Sequence, residues 1–212
     1  MNPPLFLDST QTSVPPLKEI LMFIGKPVVL VPNRSNQKIP IVKGWSDFTS
    51  EVMHDERYVE QFTEETNVGV SLGRASSGLI SLDFDCEDAL YRFLKLNPIL
   101  KTTFQTKRKR GANLWIFTSE DQIPKSSKIR FEYIEVGEIR SDGNQTLIWG
   151  KVKDEGKGEN EAIHYKVINP NRPIELDFNQ IKWPEVKYTE AEKGLKLMKE
   201  LIAKFGDPFY AF

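Results

Sequence analysis

The sequence has a single cysteine, Cys86, and only two histidines, His54 and His164, among its 212 residues. One cysteine cannot form an intrachain disulfide, and it excludes a zinc site built from cysteines. Two histidines could at most supplement carboxylate ligands. We therefore expect any metal site to consist mainly of carboxylate oxygens, and the scarcity of cysteine favours a reducing, cytoplasmic location.

Strong net charge and long apolar runs are also missing. The 29 Lys and Arg side chains nearly balance the 30 Asp and Glu side chains, which leaves a formal net charge of -1. A protein that binds nucleic acid with its whole surface is usually strongly basic, so any positive binding surface must be local. The longest apolar stretch, around 28–31, is far too short to span a bilayer, and 1–16 lacks a signal-peptide pattern. We expect no membrane association.

Length and composition predict one sizeable domain. The chain is 39% hydrophobic and 28% charged, which is sufficient for a packed core. Residues 1–14 are rich in Pro, Ser and Thr and are expected to form a flexible arm before a domain over 15–185. Residues 186–212 combine a capping-box spacing with helical periodicity, which predicts a C-terminal helix or the start of a further domain.

Strands and helices alternate irregularly along this domain, which predicts an α+β fold rather than a doubly wound α/β fold. One helix is expected over 17–24, a second is expected after a cap at Asp55, and a third is expected to begin at Asp88. The predicted strands are 27–31, 67–72, 79–85, 102–106, 112–117, 131–140, 145–151 and 163–168. The strands on either side of the turn 141–144 are expected to form a hairpin.

Two aspartates share one face of the predicted strand 79–85, because side chains alternate along a strand. Asp83 and Asp85 point to one side, opposite the apolar side chains Ile80, Leu82 and Phe84. Neighbouring carboxylates repel each other, and a divalent cation such as Mg²⁺ or Mn²⁺ is the simplest compensation. A strand end that faces solvent explains an isolated Asp-x-Asp pattern equally well.

A third acidic residue, Glu138, lies on another predicted strand and shares a face with Val136 and Arg140. If that strand pairs beside the strand of Asp83, three carboxylates and one arginine converge. Such a group suits one or two metal ions in phosphoryl transfer. Taken alone, Glu138 is more simply explained as an exposed strand residue that pairs with Arg140 or with a lysine.

Four consecutive cations, Lys107, Arg108, Lys109 and Arg110, join two of the predicted strands. A run of this kind is usually solvated surface. This one immediately precedes 112–117, so it is expected at the rim of the acidic site, where a polyphosphate or a template backbone is a suitable target.

Several segments resemble, in their order and spacing, the motifs of the bifunctional primase–polymerase family, which belongs to the archaeo-eukaryotic primase superfamily. The matching segments are NVGV at 67–70, SGLISLDFD at 77–85, GANLWIF at 111–117 and VGEIRSDGNQT at 136–146. An upstream pattern of Lys38, Pro40, Gly44 and Trp45 is also typical of the family. The resemblance covers about 28–168.

The resemblance implies an RRM-like antiparallel or mixed sheet flanked by helices, and a template-directed DNA primase or DNA polymerase. It implies that Asp83, Asp85 and Glu138 bind metal, with a two-metal site for Mg²⁺ or Mn²⁺, and that Arg140 lies beside them at a nucleotide-binding position. It also implies a DNA template and primer, NTP or dNTP, and a helicase domain or subunit as partners. The setting would be replication of a plasmid, a virus or a prokaryotic chromosome.

Asn113 departs from the family pattern, which usually has a histidine at this position that contacts the nucleoside triphosphate. Asn113 can donate a hydrogen bond but carries no charge. The segment 150–152 also lacks a histidine that many relatives have. We therefore expect weaker or differently tuned nucleotide binding, with Lys151 or the run 107–110 supplying the missing cation.

Two other hypotheses remain open. The first is a replication module that binds DNA and has lost turnover through Asn113. The second is a metal-dependent nuclease. The segment 138–140 argues against a nuclease, because it lacks the lysine that common nuclease motifs place there.

Overall fold

The computed structural model describes residues 15–107, 109–131, 134–153 and 162–184. These residues form a mixed α+β fold with mainly antiparallel sheets and few helices, which confirms the predicted fold class. The predicted arm 1–14, the predicted helix 186–212 and Arg108 lie outside the described residues. Within the described ranges, no helix is long and apolar enough to cross a membrane.

The helices are α1 (Leu17–Ile24), α2 (Glu56–Val59) and α3 (Glu87–Leu96). The strands are β1 (Leu30–Arg34), β2 (Thr66–Ser71), β3 (Leu79–Phe84), β4 (Gln105–Lys107), β5 (Ala112–Phe117), β6 (Ser127–Phe131), β7 (Ile134–Arg140), β8 (Gln145–Trp149), β9 (Lys151–Lys153), β10 (Ala162–His164), β11 (Lys166–Asn169) and β12 (Ile174–Glu175).

The helix ends follow local chemistry. Gly25 takes a left-handed conformation with φ of 76°, and its N–H donates to the carbonyl of Leu21, which ends α1 as predicted. The carboxylate of Asp55 accepts a hydrogen bond from the N–H of Arg57 and caps α2, also as predicted.

The strands form a large sheet, a small sheet and a separate two-stranded pair, β9 with β10. The order in the large sheet is β11-β4-β5-β3-β7-β6, and β12 pairs in parallel with the far end of β5. The order in the small sheet is β1-β2-β8. The central position of β3 places the Asp83 strand between two antiparallel neighbours, β5 and β7.

The predicted hairpin around 141–144 is wrong. The turn exists, since Asn144 N donates to the carbonyl of Ser141 at 3.0 Å, but the two strands join different sheets. β7 pairs with β3 and β6, whereas β8 pairs with β2. Ile148 and Trp149 of β8 are buried against residues of β1 and β2. β8 buries these side chains by pairing with β2, which is far away in sequence.

Two hydrophobic cores lie on opposite faces of the large sheet. We call them the α3 core, which includes Ile80, Leu82 and Phe84 of β3 together with Phe93 of α3, and the inter-sheet core. The inter-sheet core contains Leu79 of β3 and packs residues of β5 against α1, β1, β2 and β8. The predicted alternation along β3 is therefore confirmed, and Asp83 lies on the inter-sheet side.

Candidate active site

A row of polar side chains crosses five neighbouring strands of the large sheet. The residues that the strand register places side by side are, in order, Thr106, Asn113, Asp83, Glu138 and Lys128. Side chains in such positions share a face, with Cβ atoms about 4.5–5.5 Å apart. β7 thus pairs beside β3 and brings Glu138 next to Asp83, which is the strand pairing on which a site with Glu138 as third acid depends.

Gly137 allows β7 to approach β3 closely. A Cβ atom at this position would lie 2.0 Å from the carbonyl oxygen of Asp83, which no side chain tolerates. The register between β6 and β7 shifts next to this glycine, and Val136 packs in the α3 core. The expectation that Val136 shares a face with Glu138 and Arg140 is therefore wrong, because the shift interrupts the alternation.

Arg140 connects the acidic side chains. Its Nη2 lies 3.2 Å from Oδ2 of Asp83, and its Nε donates to Oε2 of Glu138 at 3.1 Å. Its Nη1 donates to Oγ1 of Thr146 in β8 at 3.3 Å, which ties the large sheet to the small one. Only 19% of the Arg140 side chain and 21% of the Asp83 side chain are exposed, so water screens this ion pair weakly.

Burial raises the pKa of Asp83 above its ordinary value, and the nearby carboxylates of Asp85 and Glu138 raise it further. The positive charges of Arg140 and Lys38 lower it without cancelling the effect of burial. The protein therefore compensates the negative charge of Asp83 only in part. A buried, incompletely compensated carboxylate of this kind is typical of functional sites.

Glu138 is held from its other side by Lys128. The Nζ atom of Lys128 donates to Oε1 of Glu138 and lies 2.9 Å from Oε1 of Glu135. The hydrogen bond from Lys128 is the main reason that the pKa of Glu138 is lowered, and Arg140 adds to the effect. Both carboxylate oxygens of Glu138 thus contact cations. Across the described ranges, no three acidic, histidine or cysteine side chains are grouped closely enough to hold a metal ion.

A pocket of about 90 Å³ opens on the polar row. Its charged and polar lining suits a phosphate group or a hydrated ion. The residues that line it are Lys38, Asp83, Asp85, Lys107, Arg110, Ala112, Asn113, Arg140 and Tyr165. Four cations and two acids give this pocket a local positive excess that the net charge of the chain conceals.

The profile of a protein family described as "Bifunctional DNA primase/polymerase, N-terminal" matches residues 11–177. The chain belongs to this family. The matched range contains every described strand, and it confirms the resemblance carried by the motifs at 67–70, 77–85, 111–117 and 136–146. Membership implies an enzyme of the nucleotidyltransferase type that acts with DNA and nucleotides. The comparison with curated proteins gives no match.

The primase–polymerase domain brings most of the predicted site residues together. The predicted residues that line the pocket are Asp83, Asp85, Asn113, Arg140, Lys107 and Arg110. Glu138 lies beside this group and lines a neighbouring pocket of about 290 Å³ with Lys128. Among the described residues, Lys109 and Lys151 do not belong to the lining of the Asp83 pocket.

Lys38 and Tyr165 also line the pocket of this primase–polymerase domain. Neither residue was predicted to line the site from the sequence, in which Lys38 belongs to the upstream family pattern and Tyr165 to the predicted strand 163–168. Lys38 follows β1 of the small sheet, and Tyr165 lies between β10 and β11. The upstream pattern was the only available signal for Lys38, and no local signal pointed to Tyr165.

Proposed function

We propose that this domain is a DNA primase–polymerase that performs template-directed, metal-dependent nucleotidyl transfer in the replication of a plasmid, a virus or a prokaryotic chromosome. In this reaction a 3′-hydroxyl attacks the α-phosphate of an NTP or dNTP. A bond forms between the 3′-oxygen and the α-phosphorus, and the hydroxyl proton is released to solvent. The bond from the α-phosphorus to the oxygen that bridges it to the β-phosphorus breaks, and pyrophosphate leaves. The observation that carries the proposal is the small pocket in which Asp83 and Asp85 lie among four cations.

The pocket chemistry fits the divalent metal that the family implies. Asp83 and Asp85 offer the carboxylate oxygens that Mg²⁺ and Mn²⁺ prefer, and burial raises the pKa of Asp83, so a bound cation would be favoured there. Glu138 would be the third ligand after its carboxylate leaves Lys128. When bound, such ions activate the attacking hydroxyl and stabilise the charge on the leaving group. A two-metal site is the arrangement that we propose.

The cationic side chains would bind the polyphosphate. Arg140 holds the Asp83 carboxylate in place at 3.2 Å, while Lys107 and Arg110 line the same pocket. Lys107 lies 3.2 Å from the exposed carboxylate of Glu87, a surface ion pair that a phosphate can replace at little cost. The other residues of the basic run 107–110 would contact the template or primer backbone.

Asn113 is oriented for donation. Its Oδ1 accepts a hydrogen bond from Oγ of Ser81 at 3.4 Å, so its NH₂ group is the part that can donate to a phosphate oxygen. Asn113 is 6% exposed and pairs in register with Asp83. These contacts support its role as a neutral nucleotide-binding residue.

The arrangement of the large sheet supports an RRM-like core. Its three central strands β5, β3 and β7 are antiparallel, α3 covers one face, and the pocket opens on the other. We therefore place the template and primer on the inter-sheet side of this core, where the pocket cations lie.

The decisive experiment incubates the full chain with a primer–template, labelled nucleotides, and Mg²⁺ or Mn²⁺. Primer extension that is lost in Asp83→Asn and Asp85→Asn supports the proposal. Asp121→Asn is a matched control, because Asp121 is exposed and lies outside the pocket. Degradation of the DNA would identify a nuclease, and binding of DNA without either reaction would identify the replication module that lacks turnover.

A further inference from the structure

Lys38 lies in the active-site pocket although it comes from the loop after β1. It lines the pocket together with Asp83 and Asn113, and its Nζ lies 5.9 Å from the centroid of the Tyr165 ring. Because Asn113 is neutral, a phosphate in this pocket depends on lysine and arginine side chains for charge.

A tight turn presents Lys38 to the pocket. The N–H of Gln37 donates to the carbonyl of Arg34 at 3.1 Å, and Asn36 takes a left-handed conformation with φ of 60°, which asparagine tolerates well. The chain then returns along β1, where the N–H of Arg34 donates to the carbonyl of Ile39 at 2.9 Å. The backbone of Lys38 is therefore part of an ordered reversal attached to the small sheet.

Gln145 binds the backbone carbonyl of Lys38. Its Nε2 donates to the carbonyl of Lys38 at 2.9 Å and to Oδ1 of Asn33 at 3.1 Å. Asn33, which is fully buried, donates from Nδ2 to the carbonyl of Val31 at 2.8 Å. Gly69 makes room for this network, because a Cβ atom there would lie 2.0 Å from Oε1 of Gln145.

Asn67 holds the residue before Lys38. Its Nδ2 donates to the carbonyl of Gln37 at 2.9 Å and to that of Lys151 at 2.6 Å, and its Oδ1 accepts from the N–H of Lys151 at 3.0 Å. Asn67 is 2% exposed. Buried amides whose donors and acceptors are satisfied specify one geometry. Asn67 and Gly69 of the segment 67–70 thus contact the residues that hold the loop of Lys38.

We propose that Lys38 binds a phosphate group of the incoming nucleotide, and that Gln145 and Asn67 are positioning residues that hold Lys38 at the pocket. The nature of the ligand rests on the proposed function. An ammonium group donates strong charge-assisted hydrogen bonds to phosphate oxygens. A lysine on a fixed backbone also loses less conformational freedom on binding than one on a mobile loop.

The first test compares nucleotide affinity among variants of the full chain. Lys38→Met removes the charge, and we expect it to weaken the binding of dATP with Mg²⁺ by about tenfold to a hundredfold, as for the loss of a charged hydrogen bond. Lys38→Arg keeps the charge and should retain most of the affinity. Lys43→Met is the matched control, because Lys43 lies in the same loop, is exposed, and does not line the pocket. We expect it to bind dATP as the unmodified protein does.

The second test separates positioning from general damage. Gln145→Met removes the hydrogen bond to the Lys38 carbonyl, and we expect a smaller loss of dATP affinity than in Lys38→Met. In the double variant, Gln145→Met should weaken binding no further, because it acts through the Lys38 side chain. The nucleotide KM should rise in both single variants, while the KM for primer–template should stay constant.

Unchanged dATP affinity in Lys38→Met overturns this inference, and the proposed function stands if the unmodified chain still extends primers. Lys38-dependent dATP binding without any extension overturns the proposed polymerase reaction and retains the phosphate-binding role. If Gln145→Met lowers dATP affinity by the same factor in the unmodified chain and in the Lys38→Met variant, the positioning role of Gln145 is overturned. If the unmodified chain does not bind dATP, both the inference and the proposed function are wrong.

Discussion

The two faces of β3 differ in chemistry although their residues alternate along one strand. Leu82 is fully buried in the α3 core, where complete burial of a leucine side chain stabilises a fold by about 1.5–3 kcal/mol. Asp83, the next residue, lies in a pocket where burial raises its pKa, so its charge destabilises the folded state. One face therefore stabilises the fold, while the other keeps a destabilising carboxylate for function. Substitutions of Leu82 and of Asp83 should therefore have opposite effects on stability and on activity.

Asp83→Asn should have the largest effect on activity. We expect nucleotide incorporation to fall by about a thousandfold or more, because the charge stabilisation that metal ligands provide is worth several kcal/mol. Single-nucleotide incorporation on a primer–template is the measurement. Activity close to that of the unmodified chain would exclude metal catalysis at this residue.

The same variant should melt at a higher temperature at pH 7 without metal. The pKa of Asp83 is higher in the folded state than in the unfolded state, so the folded state binds more protons between the two values. The destabilisation is therefore present at neutral pH and disappears as the pH falls below the ordinary aspartate pKa. Thermal melting at pH 7 and pH 3 measures this difference, and a lower melting temperature at pH 7 would contradict the comparison.

Leu82→Ala should show the opposite behaviour. We expect a loss of about 2–5 kcal/mol in the free energy of unfolding, because the substitution leaves a cavity in the α3 core. The folded fraction should keep its nucleotide affinity, since Leu82 points away from the pocket. Urea denaturation followed by dATP binding tests both statements. Leu96→Ala is the control, because Leu96 is 41% exposed and should contribute much less. If Leu82→Ala lowered dATP affinity without lowering the free energy of unfolding, the two faces of β3 would not have separate roles.

Asn113→His should strengthen nucleotide binding on the polar face of β3 and β5. A protonated imidazole donates a charge-assisted hydrogen bond, so we expect nucleotide binding to tighten by about tenfold where the histidine is charged. The gain should shrink as the pH rises past the imidazole pKa. Nucleotide affinity measured between pH 5.5 and 8.5 for both proteins is the test. The same affinity at every pH would show that residue 113 does not contact the triphosphate.

Lys128→Met should have the smallest effect, at the edge of the polar row. Lys128 lowers the pKa of Glu138, so the stabilisation from this contact is present above the ordinary glutamate pKa and is lost as the pH falls through the lowered value. We expect a slight decrease in melting temperature at pH 7 in low salt, which disappears at acid pH and in 1 M NaCl, where exposed charges are screened. A decrease that persists in high salt would indicate a packing role.

Local patterns in the sequence by themselves determined several parts of this protein. The alternation over 79–85 placed Leu82 and Asp83 on opposite faces, because strand geometry fixes a period of two. Gly25 and Asp55 marked helix ends through chemistry that acts within one turn. The order and spacing of the motifs were sufficient to predict the family that the match over 11–177 shows.

Only the tertiary structure decided which distant segments meet. It separated β7 from β8, brought Lys38 and Tyr165 to the pocket, and placed Lys128 against Glu138. Periodicity along a chain reports which face of a strand is buried, but it does not identify the partner strand or the distant loops that reach the same face. Those choices depend on how segments far apart in sequence bury their apolar faces together. Asp83 and Asp85 could therefore be predicted from their strand, and Arg140, Lys107 and Arg110 from the motifs and the basic run. The places of Lys38 and Tyr165 in the pocket could be assigned only after folding.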